Sequence, residues 1–165
     1  MNENLKYKGN RELLHNHKTA FLCSRKCPAN IILKSYDWAI DKRKKGECVI
    51  SGFHSKIERD VFHYLLKGEQ PVILVLARGM QTRNGPDIKK ALVENRLLII
   101  SPFEDDVKRV TQDTADIRNR VMTDIADEIF IAHASKGGNL EKLILDIKHM
   151  GKLITSFNDV GCCQM

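Results

Sequence analysis

Two arginines and two glycines in the last third of the chain carry the strongest chemical signal. The run Arg118-Asn119-Arg120 lies in a helix-like stretch, and Lys136-Gly137-Gly138 follows one strand later. A guanidinium binds phosphate through two parallel hydrogen bonds and stays charged throughout the physiological pH range. Adjacent glycines let an anion approach backbone N–H groups at the start of a helix, where the dipole also favours negative charge. Similar pairs occur upstream, at Ser24-Arg25 and Ser51-Gly52. The expected phosphate- or nucleotide-binding set is therefore Ser24, Arg25, Ser51, Gly52, Arg118, Asn119, Arg120, Lys136, Gly137 and Gly138. No turn contains GxGxxG or GxxxxGK[ST], so the signal lies in several turns converging rather than in one motif.

Other reactive residue types form no comparable pattern. Cys23, Cys27, Cys48, Cys162 and Cys163 make no paired zinc spacing and read as reduced thiols. The six histidines show no metal-ligand spacing, although His133 follows a strand and is placed to line a pocket. No catalytic residue, metal or cofactor is expected.

The elements that must position these residues alternate along the chain. Apolar runs at Thr19–Cys23, 47–51, 71–77, 96–101, 127–133 and 152–157 read as strands. Helical spacing fills the intervals 30–45, 56–68, 88–95, 114–126 and 139–150. Short apolar strands separated by helices of about a dozen residues imply βαβ units and a parallel sheet with both faces covered. The expectation is one doubly wound, mostly parallel α/β domain over residues 19–157, after a polar arm (1–18) and before a short tail (158–165). In such sheets ligands bind at the carboxyl ends of the strands, where strand order reverses. Ile117, Val121, Met122, Ile125 and Ala126 form an apolar stripe on the fourth helix, so that face packs on the sheet. Arg118 and Asn119 are then expected in the first turn, on the flank of the stripe, with Arg120 pointing elsewhere.

The chain has 165 residues, 42% hydrophobic and 29% charged, which suits one globular domain. Its net charge of +6 leans towards anionic partners. Much of that excess, Lys42 to Lys45, sits where it would end a helix at Gly46, so it reads first as a complement to the helix dipole. No apolar run is long enough to span a bilayer, and the first residues lack an apolar signal segment, so the expected location is the cytoplasm, with no membrane partner.

The succession "CSR", "SGFHSKIE", "VILVLARGM", "LLIIS", "RNR" and "GGNL" resembles the Rossmann-like domain of DNA-processing protein A, also called Smf. That family reads approximately GSR, SGxAxGID with a nearby histidine, a strand ending in SE, RNR and SGSL, and the resemblance covers residues 21–153. Here Cys23 replaces the glycine of GSR, Lys56 and Glu58 replace the glycine and aspartate of the second motif, and Pro102 follows Ser101. His63 is the nearest match to the family histidine. The resemblance implies binding of single-stranded DNA or a nucleotide, and a homodimer.

The chain is similar, more distantly, to LOG-type phosphoribohydrolases, which cleave nucleoside monophosphates with a glutamate in PGGxGTxxE. Aligned on Gly138, that glutamate position is Lys142, and an ammonium cannot support a developing oxocarbenium ion. The expected function is therefore non-catalytic binding of a nucleotide or single-stranded DNA, with a LOG-like nucleotide hydrolase using Glu58 or Glu141 as the alternative. At 6% aromatic, with Trp38 inside a core helix, stacking platforms for bases are scarce.

Overall fold

The computed structural model describes residues 4–160. Residues 161–165, most of the expected tail and including Cys162 and Cys163, lie outside the described residues. Seven strands form one sheet: β1 (Lys6–Gly9), β2 (Lys18–Cys23), β3 (Cys48–Ser51), β4 (Val72–Val75), β5 (Leu97–Ser101), β6 (Glu128–His133) and β7 (Leu153–Ser156). Their spatial order is β1-β5-β4-β3-β2-β6-β7, and every pair is parallel except β1 with β5. Strands β2 to β5 are buried at every residue, which explains why they read as continuous apolar runs.

The helices are α1 (Ala29–Lys45), α2 (Lys56–Leu66), α3 (Pro86–Val93), α4 (Gln112–Ile125), α5 (Asn139–Lys148) and a short α6 (Phe157–Val160). α1 and α2 seal one face of the sheet around Phe21, Trp38 and Phe130. Trp38 stacks against Phe130, with ring centroids 5.1 Å apart, so the single tryptophan belongs to the core. Val121, Met122 and Ile147, from α4 and α5, seal the other face. α1 ends at Gly46 with φ 71°, and Lys42 to Lys45 fill its last turn as the dipole argument requires.

Residues 4–18 of the stretch expected as a polar arm are instead part of the fold, and residues 1–3 lie outside the described residues. Lys6–Gly9 adds an antiparallel edge strand to β5, and Arg11–His15 forms a 3-10 turn that buries Leu13. Only Leu5, Tyr7, Leu13 and Leu14 from this segment join the apolar cluster. A four-residue edge strand with one inward aromatic has too little apolar pattern to show in sequence.

Candidate phosphate-binding cleft

The order of strands reverses at β2: chain progress runs one way through β3, β4 and β5, and the other way through β6 and β7. The loops after β2 and β6 therefore diverge and leave a crevice. Three hydrogen bonds tie its walls together. The Ser24 N–H donates to the His133 carbonyl (2.8 Å), the Ser135 N–H to Ser24 Oγ (2.9 Å), and Ser135 Oγ to the Lys26 carbonyl (3.2 Å). The resulting cleft has a volume of about 320 Å³.

Arg118 is the deepest cation in it, with 6% of its surface exposed. α4 starts at Gln112, capped by Thr111, whose Oγ1 accepts from the Thr114 N–H while Thr114 Oγ1 accepts from the Thr111 N–H. This capping box moves the helix start upstream of the expected Thr114, so Arg118 lies in the second turn rather than the first. Its side chain is fixed from two directions. Nε donates to Asn119 Oδ1 at 2.8 Å. On the opposite side the guanidinium lies over Gly52, where a Cβ would stand 2.1 Å from Nη1. Among the described residues no carboxylate comes within ion-pair distance of Arg118. Burial pulls the pKa of Arg118 down, against the fields of Glu58 and Asp116, but an arginine stays protonated at neutral pH.

Ser51 and Gly52 support the cleft from beneath. Ser51 Oγ donates to the Phe21 carbonyl (2.8 Å) and accepts from the Phe53 N–H (3.1 Å), so it is not available to a ligand. Phe53 adopts φ 46°, a costly conformation for a bulky residue, and stacks on Phe62 at 4.4 Å. The turn after β3 is thereby held open, with His54 and Ser55 facing the cleft.

Glu58 lines the same cavity and is 7% exposed. Its Oε2 accepts from the Cys23 N–H (3.1 Å), and its Oε1 from the N–H groups of His54 (3.0 Å) and Ser55 (3.1 Å). This carboxylate is thus the anchor joining the loop after β2 to the start of α2. Glu141 is committed in the same way, accepting from the Gly137 N–H. The thiols of Cys23 and Cys27 are both pushed up, mainly by burial, which makes them poor nucleophiles.

α5 begins at the cleft with Gly138 as its N-cap and no side-chain capping bond, so Gly138, Asn139 and Leu140 bring the positive end of a helix to the site. Of the sequence-based set, Ser24, Arg25, Arg118, Asn119 and Gly138 line the cleft. Arg120, Lys136 and Gly137 do not. Arg120 is exposed on α4 and borders a separate groove with Tyr7, Ile117 and Ile125, because two positions along a helix turn a side chain about 200°. Gly137 instead supplies the left-handed turn (φ 75°) that lets α5 start. Sequence reasoning missed Lys26, His54 and Gln112 as lining residues. Each falls in a turn after a strand or at a helix start, which was the available signal. His133, expected near the pocket, faces a different small cavity beside Phe157.

The family model of DNA recombination-mediator protein A matches residues 3–155. The fold is similar to that of DNA processing protein A from Helicobacter pylori, a protein described for its single-stranded DNA binding mode, with a TM-score of 0.76, 17% identity, and coverage of 92% of this chain and 70% of that one. It is also similar to DNA processing protein A from Streptococcus pneumoniae, with a TM-score of 0.75, 21% identity, and coverage of 92% and 54%. This chain thus spans little more than half of the second relative. No curated protein sequence matches the chain.

Proposed function

This chain belongs to the DNA recombination-mediator protein A family, and on that premise we propose that it is a DNA-processing protein that binds single-stranded DNA through backbone phosphates in the switch-point cleft. The reading is carried by Arg118. A buried cation costs several kcal/mol unless something compensates it, and this one faces an open cleft with no carboxylate in ion-pair contact among the described residues. Arg25 and Lys26 add charge at the same cavity, and the α5 N-terminus adds a favourable dipole. A phosphate satisfies all of these at once.

The same cleft suits a strand better than a base. None of its lining residues is a phenylalanine, tyrosine or tryptophan, so recognition is by backbone charge, independent of sequence. The strand is held, not cleaved. Glu58 and Glu141 are occupied by backbone N–H groups, and Lys142 stands where the hydrolase-like enzymes need a carboxylate. The protein acts in the cytoplasm as a homodimer on this reading. Among the described residues no helix is long and apolar enough to cross a membrane.

The test is fluorescence anisotropy of labelled oligo-dT with the wild type and Arg118→Ala at several salt concentrations. Affinity should fall steeply with salt, and Arg118→Ala should weaken binding at least about tenfold while lowering the salt slope by about one. Equal binding by the two proteins would overturn the assignment. Stabilisation by mononucleotides without any binding of oligo-dT would replace the strand by a free nucleotide.

A further inference from the structure

We propose that His54 is a second anion ligand of the cleft, neutral while the cleft is empty and protonated when a backbone phosphate is bound, so that binding takes up one proton. The proposal rests on the phosphate-binding reading above and adds to it a residue and a pH dependence. Against the SGxAxGID pattern, His54 stands at the alanine position, so the imidazole is a feature of this chain.

The geometry places the ring with some care. Its backbone N–H donates to Glu58 Oε1 (3.0 Å), and the preceding Phe53 is locked by Ser51 and Phe62. The side chain is half-buried and lines the cleft alongside Arg118. Among the described residues neither ring nitrogen has a hydrogen-bond partner. The charged groups acting on it come from every neighbouring element: Arg118 on α4, Arg25 in the loop after β2, and Glu58 and Arg59 on α2. Burial, then Arg118 and Arg25, hold its pKa below the ordinary value, while Glu58 opposes them. Without a bound anion these surroundings favour the neutral ring.

An incoming phosphodiester reverses that balance. Its negative charge opposes the field of the two guanidiniums, and its oxygens offer an acceptor to a ring that has none. A proton taken from solvent then gives an imidazolium N–H donating to a phosphate oxygen, with no other bond made or broken. By linkage, a group whose pKa rises on binding makes affinity increase as pH falls, by up to tenfold per pH unit between its free and bound values.

Oligo-dT is the suitable probe, because its diesters do not titrate in this range. Anisotropy is measured at constant ionic strength from pH 8 to pH 5.5 for wild type, His54→Ala and His54→Gln, and the His54 ring proton is followed by NMR with and without oligo-dT. The expected result is a several-fold tightening of the wild type on acidification beyond that of either variant, with the ring pKa raised by the ligand. Arg118-dependent binding whose pH slope is the same in all three proteins, with an unmoved ring pKa, would overturn the His54 assignment alone. Absence of Arg118-dependent binding would remove the phosphate reading and this proposal with it.

Discussion

Gly52 and Arg118 are in direct steric register: a Cβ on Gly52 would lie 2.1 Å from Nη1 and 2.4 Å from Cζ of the guanidinium. The glycine after β3 and the arginine of α4 are about 66 residues apart in sequence by their numbering, yet they define one feature. The absent side chain of one is the seat of the other. Gly52→Ala should therefore push the guanidinium out of place at a folding cost of about 1 kcal/mol, the scale of one off-rotamer side chain. Oligo-dT affinity should drop nearly as far as in Arg118→Ala, and denaturant unfolding beside anisotropy separates the two effects.

Asn119 positions the Arg118 side chain. Its Oδ1 accepts from Nε at 2.8 Å, and among the described residues the two terminal nitrogens have no hydrogen-bond partner, which suits them to a phosphate. Asn119→Ala should weaken oligo-dT binding by about 1 kcal/mol, or roughly fivefold, the usual worth of one hydrogen bond. The effect should vanish in an Arg118→Ala background, which a double-mutant cycle measures directly.

Glu58 should behave as a structural residue. Removing its carboxylate in Glu58→Ala leaves the N–H groups of Cys23, His54 and Ser55 buried without partners. At about 1–3 kcal/mol for each buried unsatisfied donor, with partial relief by water, the expected loss is several kcal/mol in a urea melt. A hydrolytic role for Glu58 predicts the opposite pattern: near-normal stability and loss of free-base release from nucleoside monophosphates.

The free protein should respond to acid in the opposite sense from the complex. His54 is held below its ordinary value in the folded state, mainly by burial, so the unfolded chain binds the proton more readily. Its contribution to stability is complete above the unfolded pKa of about 6.5 and is lost as pH falls through the lower folded value. Thermal melts between pH 7.5 and 5 should show a shallower acid decline in His54→Ala than in wild type. Saturating oligo-dT should reduce the wild-type decline.

The architecture was legible because β2 to β5 are buried at every residue, and the centre of β6 with them, so they carry unbroken apolar runs. β1 was not, since Lys6, Lys8 and Gly9 flank a single inward Tyr7. The place of Arg118 at the cleft was legible from its position beside the apolar stripe, but its burial was not, because that depends on a glycine from another part of the chain. Ser51 and Gly137 matched small-residue turns correctly while their roles differ: one pins a loop and the other starts a helix. Which residue of a turn faces the cleft depends on a few backbone angles, and Phe53, at φ 46°, immediately precedes His54 in the cleft wall.

A structure of this chain with bound oligo-dT decides whether the switch-point cleft holds the strand. A backbone phosphate oxygen is expected within about 2.7–3.2 Å of an Arg118 terminal nitrogen, beside the first turn of α5. A strand bound along another surface, with the Arg118 guanidinium facing only solvent, would contradict it.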